Sequence, residues 1–260
     1  MRVTYIGHCG FLVETKETYF LFDCVASGDT ENRSDEKAYS TGKLPELYDG
    51  KDLVVFVSHQ HEDHYSHHIW RLKEQYPHVK YVIAKGIPFS ENARKKCGIT
   101  EEDLPDILRV RVNQTYELVL DQGSLLVIET IRSTDTGVAY YLTFRGHTIY
   151  HAGDLHLWLW EEEGDEYNKF MAERFAKELE HLRGRKTDVA FLPLDPRLGK
   201  NTYKGMDAYL KAMNVKAVFP MHFWKQYDLI SAYKEARKEE PYVAAIREIR
   251  REGQVFDLPD

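Results

Sequence analysis

Five of the twelve histidines of this protein lie within eleven consecutive positions, residues 58–68. The cluster contains the run HQHEDH at residues 59–64 and follows the apolar run LVVFV at residues 53–57. Because residues two apart on an extended chain point to the same side, His59 and His61 are expected to face one way. Imidazole nitrogens and carboxylates are ligands for divalent metals. The sequence therefore predicts a metal site formed by His59, His61, Asp63 and His64.

Three further stretches place polar residues directly after predicted strands. Asp23 closes an early strand, Asp154 follows Gly153 after a central strand, and His222 lies in the run PMHF after a late strand. Together with the histidine cluster, these stretches resemble, in type and in order, the motifs of the metallo-β-lactamase superfamily. The matches run from about residue 5 to about residue 225, so the resemblance covers nearly the whole chain.

This resemblance implies an α/β fold, a four-layered αββα sandwich of the metallo-β-lactamase type, formed by one domain over residues 1–260. It implies that a first metal is bound by His59 and His61, that a second is bound by Asp63, His64 and His222, and that Asp154 bridges them. In this family the metals activate a water molecule. The expected cofactor is one or two divalent metal ions, with zinc favoured and manganese or iron as alternatives, because mixed nitrogen and oxygen ligands accept all three.

The chain departs from the family pattern at one position. Members of the family often have another histidine in a turn between the two central motifs. In the matching region, residues 131–137, the nearest equivalent is Ser133, with Asp135 two residues further on. A serine hydroxyl is a poor zinc ligand, so the first metal site is expected to be weak, to recruit Asp135, or to be empty. Both residues are also candidates for substrate binding.

His8 lies in the run IGHCGF at residues 6–11. This run resembles the Gly-His turn of the superfamily branch that includes ascorbate-6-phosphate lactonase-like and phospholipase D-like members, where the turn often lies close to the metals. His8 is therefore a candidate catalytic residue. Asp63 is the other, since it would orient or deprotonate the attacking water as well as bind metal. A structural role in the turn is the alternative for His8.

Three other residues near the motifs are candidates for substrate contact. His156 follows Asp154 by two residues, and Trp158 either lines a cleft or packs a loop. Arg197 presents a planar guanidinium that matches the geometry of a carboxylate or a phosphate. A salt bridge with Asp195 is the alternative role for Arg197.

The elements that must position these residues follow from hydrophobic patterning. Strands are predicted at residues 2–6, 10–14, 18–23, 53–57, 79–84, 107–112, 115–120, 124–130, 138–144, 147–150, 189–194 and 217–220, and near Val255. Helices are predicted at residues 65–75, 88–96, 166–182, 204–213 and 229–238. Residues 24–50 lack periodicity and are predicted to form a long loop of the kind that is often functional. Such an order of elements favours packed sheets covered by helices.

The composition restricts the partners of the protein. The 35 lysines and arginines against 42 aspartates and glutamates give a net charge of −7, which argues against a general nucleic-acid binder. No segment approaches the roughly 20 apolar residues of a membrane span. The first ten residues lack the apolar stretch of a signal peptide and the three cysteines cannot all pair, so we expect a cytoplasmic location. A homo-oligomer is compatible with the sequence.

The sequence therefore predicts a metal-dependent hydrolase that uses a metal-activated water on a small ester, lactone or phosphoester, anionic substrates included. Two alternatives remain at this point. A nucleic-acid phosphodiesterase is disfavoured by the acidic charge balance. A non-catalytic metal-binding module on the same fold is disfavoured by Asp63 and Asp154, because a mere scaffold would not need them.

Overall fold

The computed structural model describes residues 1–25, 39–40, 42–48 and 50–259. Much of the loop predicted over residues 24–50 therefore lies outside the described residues. Contacts between residues divide the chain into two compact units. The first unit comprises Met1–Arg111, Val119–Ser124 and Arg251–Asp260, and the second unit comprises Val112–Leu118 and Leu125–Arg250. One domain over residues 1–260 stays a prediction.

The first unit is built on a seven-stranded mixed sheet. Its strands are β1 (Arg2–Gly7), β2 (Gly10–Glu14), β3 (Thr18–Phe22), β4 (Asp52–Val57), β5 (Val79–Ala84), β6 (Ile107–Val110) and the C-terminal β13 (Val255–Asp257). They pair in the order β13-β1-β2-β3-β4-β5-β6. Strands β3 to β6 are parallel, so their carboxyl ends lie at one edge of the sheet. All six residues of β4 are buried, as expected of a parallel strand covered on both faces.

Short helices follow the parallel strands of the first unit. They are α1 (Glu91–Lys96) and the 3₁₀ helices His67–Glu74 and Glu101–Asp106. The helix predicted at residues 65–75 is thus a 3₁₀ helix. The helix predicted at residues 88–96 begins only at Glu91, because Ser90 caps it by accepting a hydrogen bond from the Ala93 N–H at 3.3 Å.

The second sheet has six strands. They are β7 (Thr115–Val119), β8 (Leu125–Arg132), β9 (Val138–Phe144), β10 (His147–His151), β11 (Lys186–Pro193) and β12 (Asn214–Met221). They pair in the order β12-β11-β10-β9-β8-β7. Strands β10, β11 and β12 are parallel, so their carboxyl ends also share one edge. In each sheet, the residues that follow the parallel strands therefore lie together at one edge.

The helices of the second unit are amphipathic. They are α2 (Asp165–Leu179), α3 (Lys204–Ala212) and α4 (Asp228–Ala236), with 3₁₀ helices at Glu180–Leu182, Pro196–Asn201 and Pro241–Ala245. In α2 the apolar residues Met171, Phe175 and Leu179 recur every fourth position and are buried. Among the described residues, no helix is long and apolar enough to cross a membrane.

Every strand and helix predicted from the sequence has a counterpart in the structure, apart from shifts at the ends. The largest shifts are of three residues, at the starts of α1, β12 and β11. Strand β11 begins three residues before the predicted strand at residues 189–194. Its early residues are polar, Lys186 and Asp188 among them, and strand pairing with β12 rather than hydrophobicity extends it. The three short 3₁₀ helices that were not predicted, Glu101–Asp106, Pro196–Asn201 and Pro241–Ala245, contain too few residues to show a period.

Candidate metal centre

The end of β3 and the end of β4 meet at a buried carboxylate in the first unit. Asp23 follows β3, and its side chain accepts hydrogen bonds from the Ser58 N–H at 2.7 Å and the Ser58 hydroxyl at 2.6 Å. It also accepts a hydrogen bond from His64 Nδ1 at 2.7 Å. Because Nδ1 is engaged in this way, Nε2 is the nitrogen that His64 could offer to a metal.

The predicted ligands of the turn after β4 converge. His59, Asp63 and His64 each offer one ligand atom, and these atoms lie within 4.8 Å of one another. The ring of His59 lies 4.6 Å from that of His61 and 4.2 Å from that of His64, measured between centroids. Several imidazoles this close repel one another when protonated, whereas a divalent cation binds them all in the neutral form. The donor set therefore fits a metal ion.

His8 contacts one of these ligands. Its Nε2 lies 3.2 Å from Asp63 Oδ2, and its side chain is almost fully buried. The backbone of His8 is left-handed, with φ of 49°, a conformation that non-glycine residues rarely adopt. At the preceding Gly7, the backbone of the turn passes so close to Ser40 that a Cβ would overlap the Ser40 side chain. The strained turn thus directs the His8 imidazole at the Asp63 carboxylate.

In the second unit, the predicted ligands follow two of the three parallel strands. Asp154 lies three residues after β10, and His222 directly follows β12. Their side chains are buried, and His222 Nε2 lies 3.6 Å from Asp154 Oδ1. His222 is left-handed, with φ of 61°, as are His8 and Asp23 at 49° and 37°. Three of the residues around the predicted ligands thus have backbone conformations that cost energy.

Asp195 follows β11, the strand that lies between β10 and β12, and its side chain orients His222. Its carboxylate is fully buried and accepts a hydrogen bond from His222 Nδ1 at 2.8 Å. Arg197 forms a second contact, with its terminal nitrogen 2.6 Å from the same carboxylate. Burial opposes ionisation, but the hydrogen bonds from His222 and Arg197 outweigh it and hold the pKa of Asp195 well below its usual range. Asp195 is therefore a carboxylate that fixes the imidazole.

From the sequence, Asp195 is expected only as the salt-bridge partner of Arg197, and that salt bridge is present. The signal that could have found the second role is positional. Asp195 follows a buried apolar strand in the same way that Asp23 does. The partner of Asp195, however, is 27 residues away in sequence, so its contact with His222 depends on the pairing of β11 with β12.

The predicted substrate residues have different surroundings within the second unit. Ser133 is buried, and its hydroxyl accepts a hydrogen bond from the Asp135 N–H at 3.1 Å, while Asp135 itself is exposed. The Arg197 guanidinium lies 4.5 Å from the Trp224 ring and 5.4 Å from the Trp160 ring. The arginine is therefore held in place by aromatic faces as well as by Asp195.

His156 and Trp158 are both buried. His156 is fully buried, and within the described part of the chain neither of its ring nitrogens has a hydrogen-bond partner. Burial lowers its pKa to about 4, so the ring is neutral. Trp158 is 5% exposed and packs with Met171 and Leu198 in a hydrophobic cluster. A substrate role for these two residues, and for Ser133, Asp135 and Arg197, stays a prediction, as do the metal ligands.

The chain is similar in sequence to known proteins. A family described as "Beta-lactamase superfamily domain" matches residues 2–170. The metal-dependent hydrolase YtkL of Bacillus subtilis strain 168 is 28% identical over 239 residues, covering 86% of this chain and 86% of that protein.

Two solved structures share the fold. Igni18, a metallo hydrolase from the archaeon Ignicoccus hospitalis, has a TM-score of 0.56 at 18% identity and covers 99% of both chains. The metallo-β-lactamase fold protein YhfI from Bacillus subtilis has a TM-score of 0.54 at 13% identity, covering 98% of this chain and 99% of that one. These neighbours confirm the α/β fold of the metallo-β-lactamase type. Since the family match extends over well more than half of its length, the chain belongs to the beta-lactamase superfamily.

Proposed function

We propose that this chain, a metal-dependent hydrolase of the beta-lactamase superfamily, cleaves small esters, lactones or phosphoesters, anionic ones included. The relative in Bacillus subtilis is a metal-dependent hydrolase by name. The observation that carries the proposal is the convergence of His59, Asp63 and His64, whose ligand atoms lie within 4.8 Å of one another. A cluster of neutral imidazoles with one carboxylate is a donor set for a catalytic divalent metal.

The ligands would be those assigned from the sequence: His59, His61, Asp63, His64, Asp154 and His222. One or two ions are expected, with zinc favoured over manganese and iron. When bound, such an ion supplies a water of pKa about 7 and polarises the oxygen of the scissile group. The buried carboxylates of Asp23 and Asp195 hold His64 and His222 by Nδ1, which keeps Nε2 as the ligating atom in both.

Asp63 and His8 are the groups proposed to handle the proton. The Asp63 side chain is 16% exposed, more than that of His8 or His64, so it is the group that solvent and substrate can reach. Asp63 orients the attacking water and accepts its proton on a carboxylate oxygen. When Nε2 of His8 carries the proton, it donates to Asp63 Oδ2 and fixes the carboxylate for that task.

The substrate is proposed to be a small molecule, and a carboxylate or phosphate on it would suit Arg197. The Arg197 side chain is 45% exposed and its position is fixed by Asp195, so the guanidinium is pre-positioned and open to solvent. A long nucleic acid fits less well, because the net charge of −7 repels a phosphate backbone.

The test is hydrolysis by protein that has been stripped with a chelator and reloaded separately with zinc, manganese or ferrous iron. A panel of esters, lactones, phosphomonoesters and phosphodiesters would be assayed with wild type and with Asp63→Asn. We expect metal-dependent turnover of at least one class and a loss of about 10²- to 10⁴-fold in kcat/KM for Asp63→Asn. Glu62→Gln, in the exposed residue next to Asp63, is the matched control and should retain activity. Absence of turnover with every metal contradicts the proposal.

A further inference from the structure

A cavity of about 380 Å³ lies beside the turn that carries the predicted ligands, within the first unit. One wall is formed by Gln60, Tyr65 and His67, and the opposite wall by residues between Pro88 and Cys97. Gln60 separates His59 from His61 in the chain, so the cavity and the candidate metal ligands share the turn after β4. Its volume is in the range of small-molecule sites. None of the residues proposed above to contact the substrate lines it.

The fold explains why a cavity forms here. Strands β4 and β5 are parallel neighbours, and the histidine turn follows β4 while the segment leading to α1 follows β5. The two walls are therefore the connections that leave adjacent strands at the same sheet edge. In parallel sheets, ligands bind in crevices outside the carboxyl ends of the strands.

The charge of the cavity is positive. Three cations lie in succession on α1, and two of them are neutralised: Arg94 by Glu101 at 2.8 Å and Lys95 by Glu91 at 2.7 Å. The third, Lys96, lines the cavity and has no carboxylate partner among the residues that the structure describes. No aspartate or glutamate is among the lining residues. An anion entering the cavity would therefore meet one uncompensated ammonium group and no repelling carboxylate.

Neutral hydrogen-bonding groups line the same cavity as this ammonium. Asn92 and Ser90 line the same wall as Lys96, and the Ser90 hydroxyl accepts from the Ala93 N–H, so its own proton can be donated. The wall opposite is held in place, since Tyr65 accepts a hydrogen bond from Trp70 Nε1 at 2.9 Å. The cavity thus combines a cation with amide and hydroxyl donors, the groups that bind carboxylates and phosphates.

We propose that this cavity binds an anionic group of the substrate, a carboxylate or a phosphate, with Lys96, in place of Arg197, as the charged contact. The scissile bond would then lie toward Gln60 and the predicted ligands. As a statement about the substrate, this rests on the hydrolase function proposed above. As a statement about anion binding, it can be tested without any activity.

Cys97 provides the direct test, because it lines the cavity and is half-buried while Cys9 and Cys24 are buried. The rate of Cys97 alkylation by iodoacetamide would be measured during titration with inorganic phosphate and, separately, with glutarate. We expect saturable protection by at least one of them, which also distinguishes a phosphate site from a carboxylate site. Protection that follows ionic strength without saturating, or no protection by either anion, overturns the proposal.

Two variants on adjacent residues assign the binding to the cavity. Lys96→Ala should lower the affinity for the protecting anion by about 10- to 100-fold, which corresponds to the loss of a hydrogen bond to a charged group. Lys95→Ala removes a charge from the same helix at a position that does not line the cavity, and it should change the affinity little. Equal losses in both variants, or no loss in Lys96→Ala, contradict a specific site at Lys96.

A matched pair of substrates separates this proposal from the function. With nitrophenyl butyrate and mono-nitrophenyl succinate, Lys96→Ala should raise KM about 10-fold for the anionic ester and leave KM for the neutral ester unchanged. If neither ester nor any other substrate is cleaved but saturable protection of Cys97 persists, the hydrolase function fails and the anion site stands. If both esters are cleaved with unaltered KM in Lys96→Ala, the function stands and the site fails.

Discussion

Two buried aspartate–histidine pairs, one in each unit, hold their histidines in the same way. Asp23 accepts a hydrogen bond from His64 Nδ1 at 2.7 Å, and Asp195 accepts one from His222 Nδ1 at 2.8 Å. None of the four side chains is more than 2% exposed. In both pairs the aspartate directly follows, or follows by two residues, a strand of the parallel part of its sheet. Both units thus orient an imidazole with a buried carboxylate that accepts a hydrogen bond from its Nδ1.

The pairs differ in what else stabilises the carboxylate. Asp23 is stabilised by neutral donors, the N–H and hydroxyl of Ser58, which is completely buried. Asp195 accepts hydrogen bonds from the Arg197 N–H at 2.8 Å and from the Arg197 guanidinium, and the Arg197 side chain is 45% exposed. If the carboxylate is lost, Arg197 can turn toward water, whereas the Ser58 donors cannot. The pair in the first unit should therefore be the more sensitive to substitution.

Replacing each aspartate with asparagine should show the largest effect. In Asp23→Asn, the amide NH₂ replaces one acceptor that faces the Ser58 and His64 donors, so buried donors stay unsatisfied. We expect a loss of about 3 kcal/mol in the free energy of unfolding for Asp23→Asn and about 1–2 kcal/mol for Asp195→Asn. Urea unfolding of the chelator-treated proteins measures both values.

The exposed Asp135 offers a control, since Asp135→Asn should change stability by no more than about 0.5 kcal/mol. Equal destabilisation by Asp23→Asn and Asp195→Asn, or the reverse order, would show that solvent access at Arg197 does not distinguish the pairs.

Metal removal should have the next largest effect on the free energy of unfolding, and it tests the orientation of both His64 and His222. With free metal at 100 times its Kd, the metal should stabilise the wild type by about 2.7 kcal/mol, and a chelator should abolish this gain. Loss of a carboxylate that orients a ligating histidine lowers metal affinity by about 10- to 100-fold. At the same metal concentration, each asparagine variant should therefore lose about 1.3–2.3 kcal/mol of that gain. Urea unfolding with and without zinc measures it, and a wild type insensitive to metal contradicts the ligand assignment.

Much of the fold was readable from the sequence, and a ligand set was predicted from it, because their signals are local. The run HQHEDH at residues 59–64 and the buried strand before it lie within a dozen residues, and apolar runs of that kind mark parallel strands. The order of Asp23, Asp154 and His222 along the chain indicated the metallo-β-lactamase superfamily. The long loop at residues 24–50 was predicted from its lack of period, and much of it lies outside the described residues.

The contacts that orient the predicted ligands were not readable, because they join residues distant in sequence. Asp23 and His64 are separated by 41 positions, and their hydrogen bond depends on the pairing of β3 with β4. The left-handed backbone of His8 and His222 was equally hidden, since neither residue type requires it. The cavity at Lys96 arises from two connections that become neighbours only when β4 and β5 pair.

The smallest effect should come from removing the second contact of each aspartate, and it tests the comparison most finely. The Ser58 hydroxyl donates to Asp23 Oδ2 and lies 2.9 Å from His59 Nδ1, so it supports two predicted ligands. Ser58→Ala should lower stability by about 1 kcal/mol and metal affinity about 10-fold.

Arg197→Met keeps an apolar stem against Trp224 and leaves the hydrogen bond from His222 to Asp195 intact. Because the pair it removes is partly exposed, it should cost no more than about 1 kcal/mol and alter metal affinity less than about 3-fold. Isothermal titration with zinc measures both affinities. A larger loss in Arg197→Met than in Ser58→Ala would mean that the cation, and not the neutral donors, is the more important support for a ligating histidine.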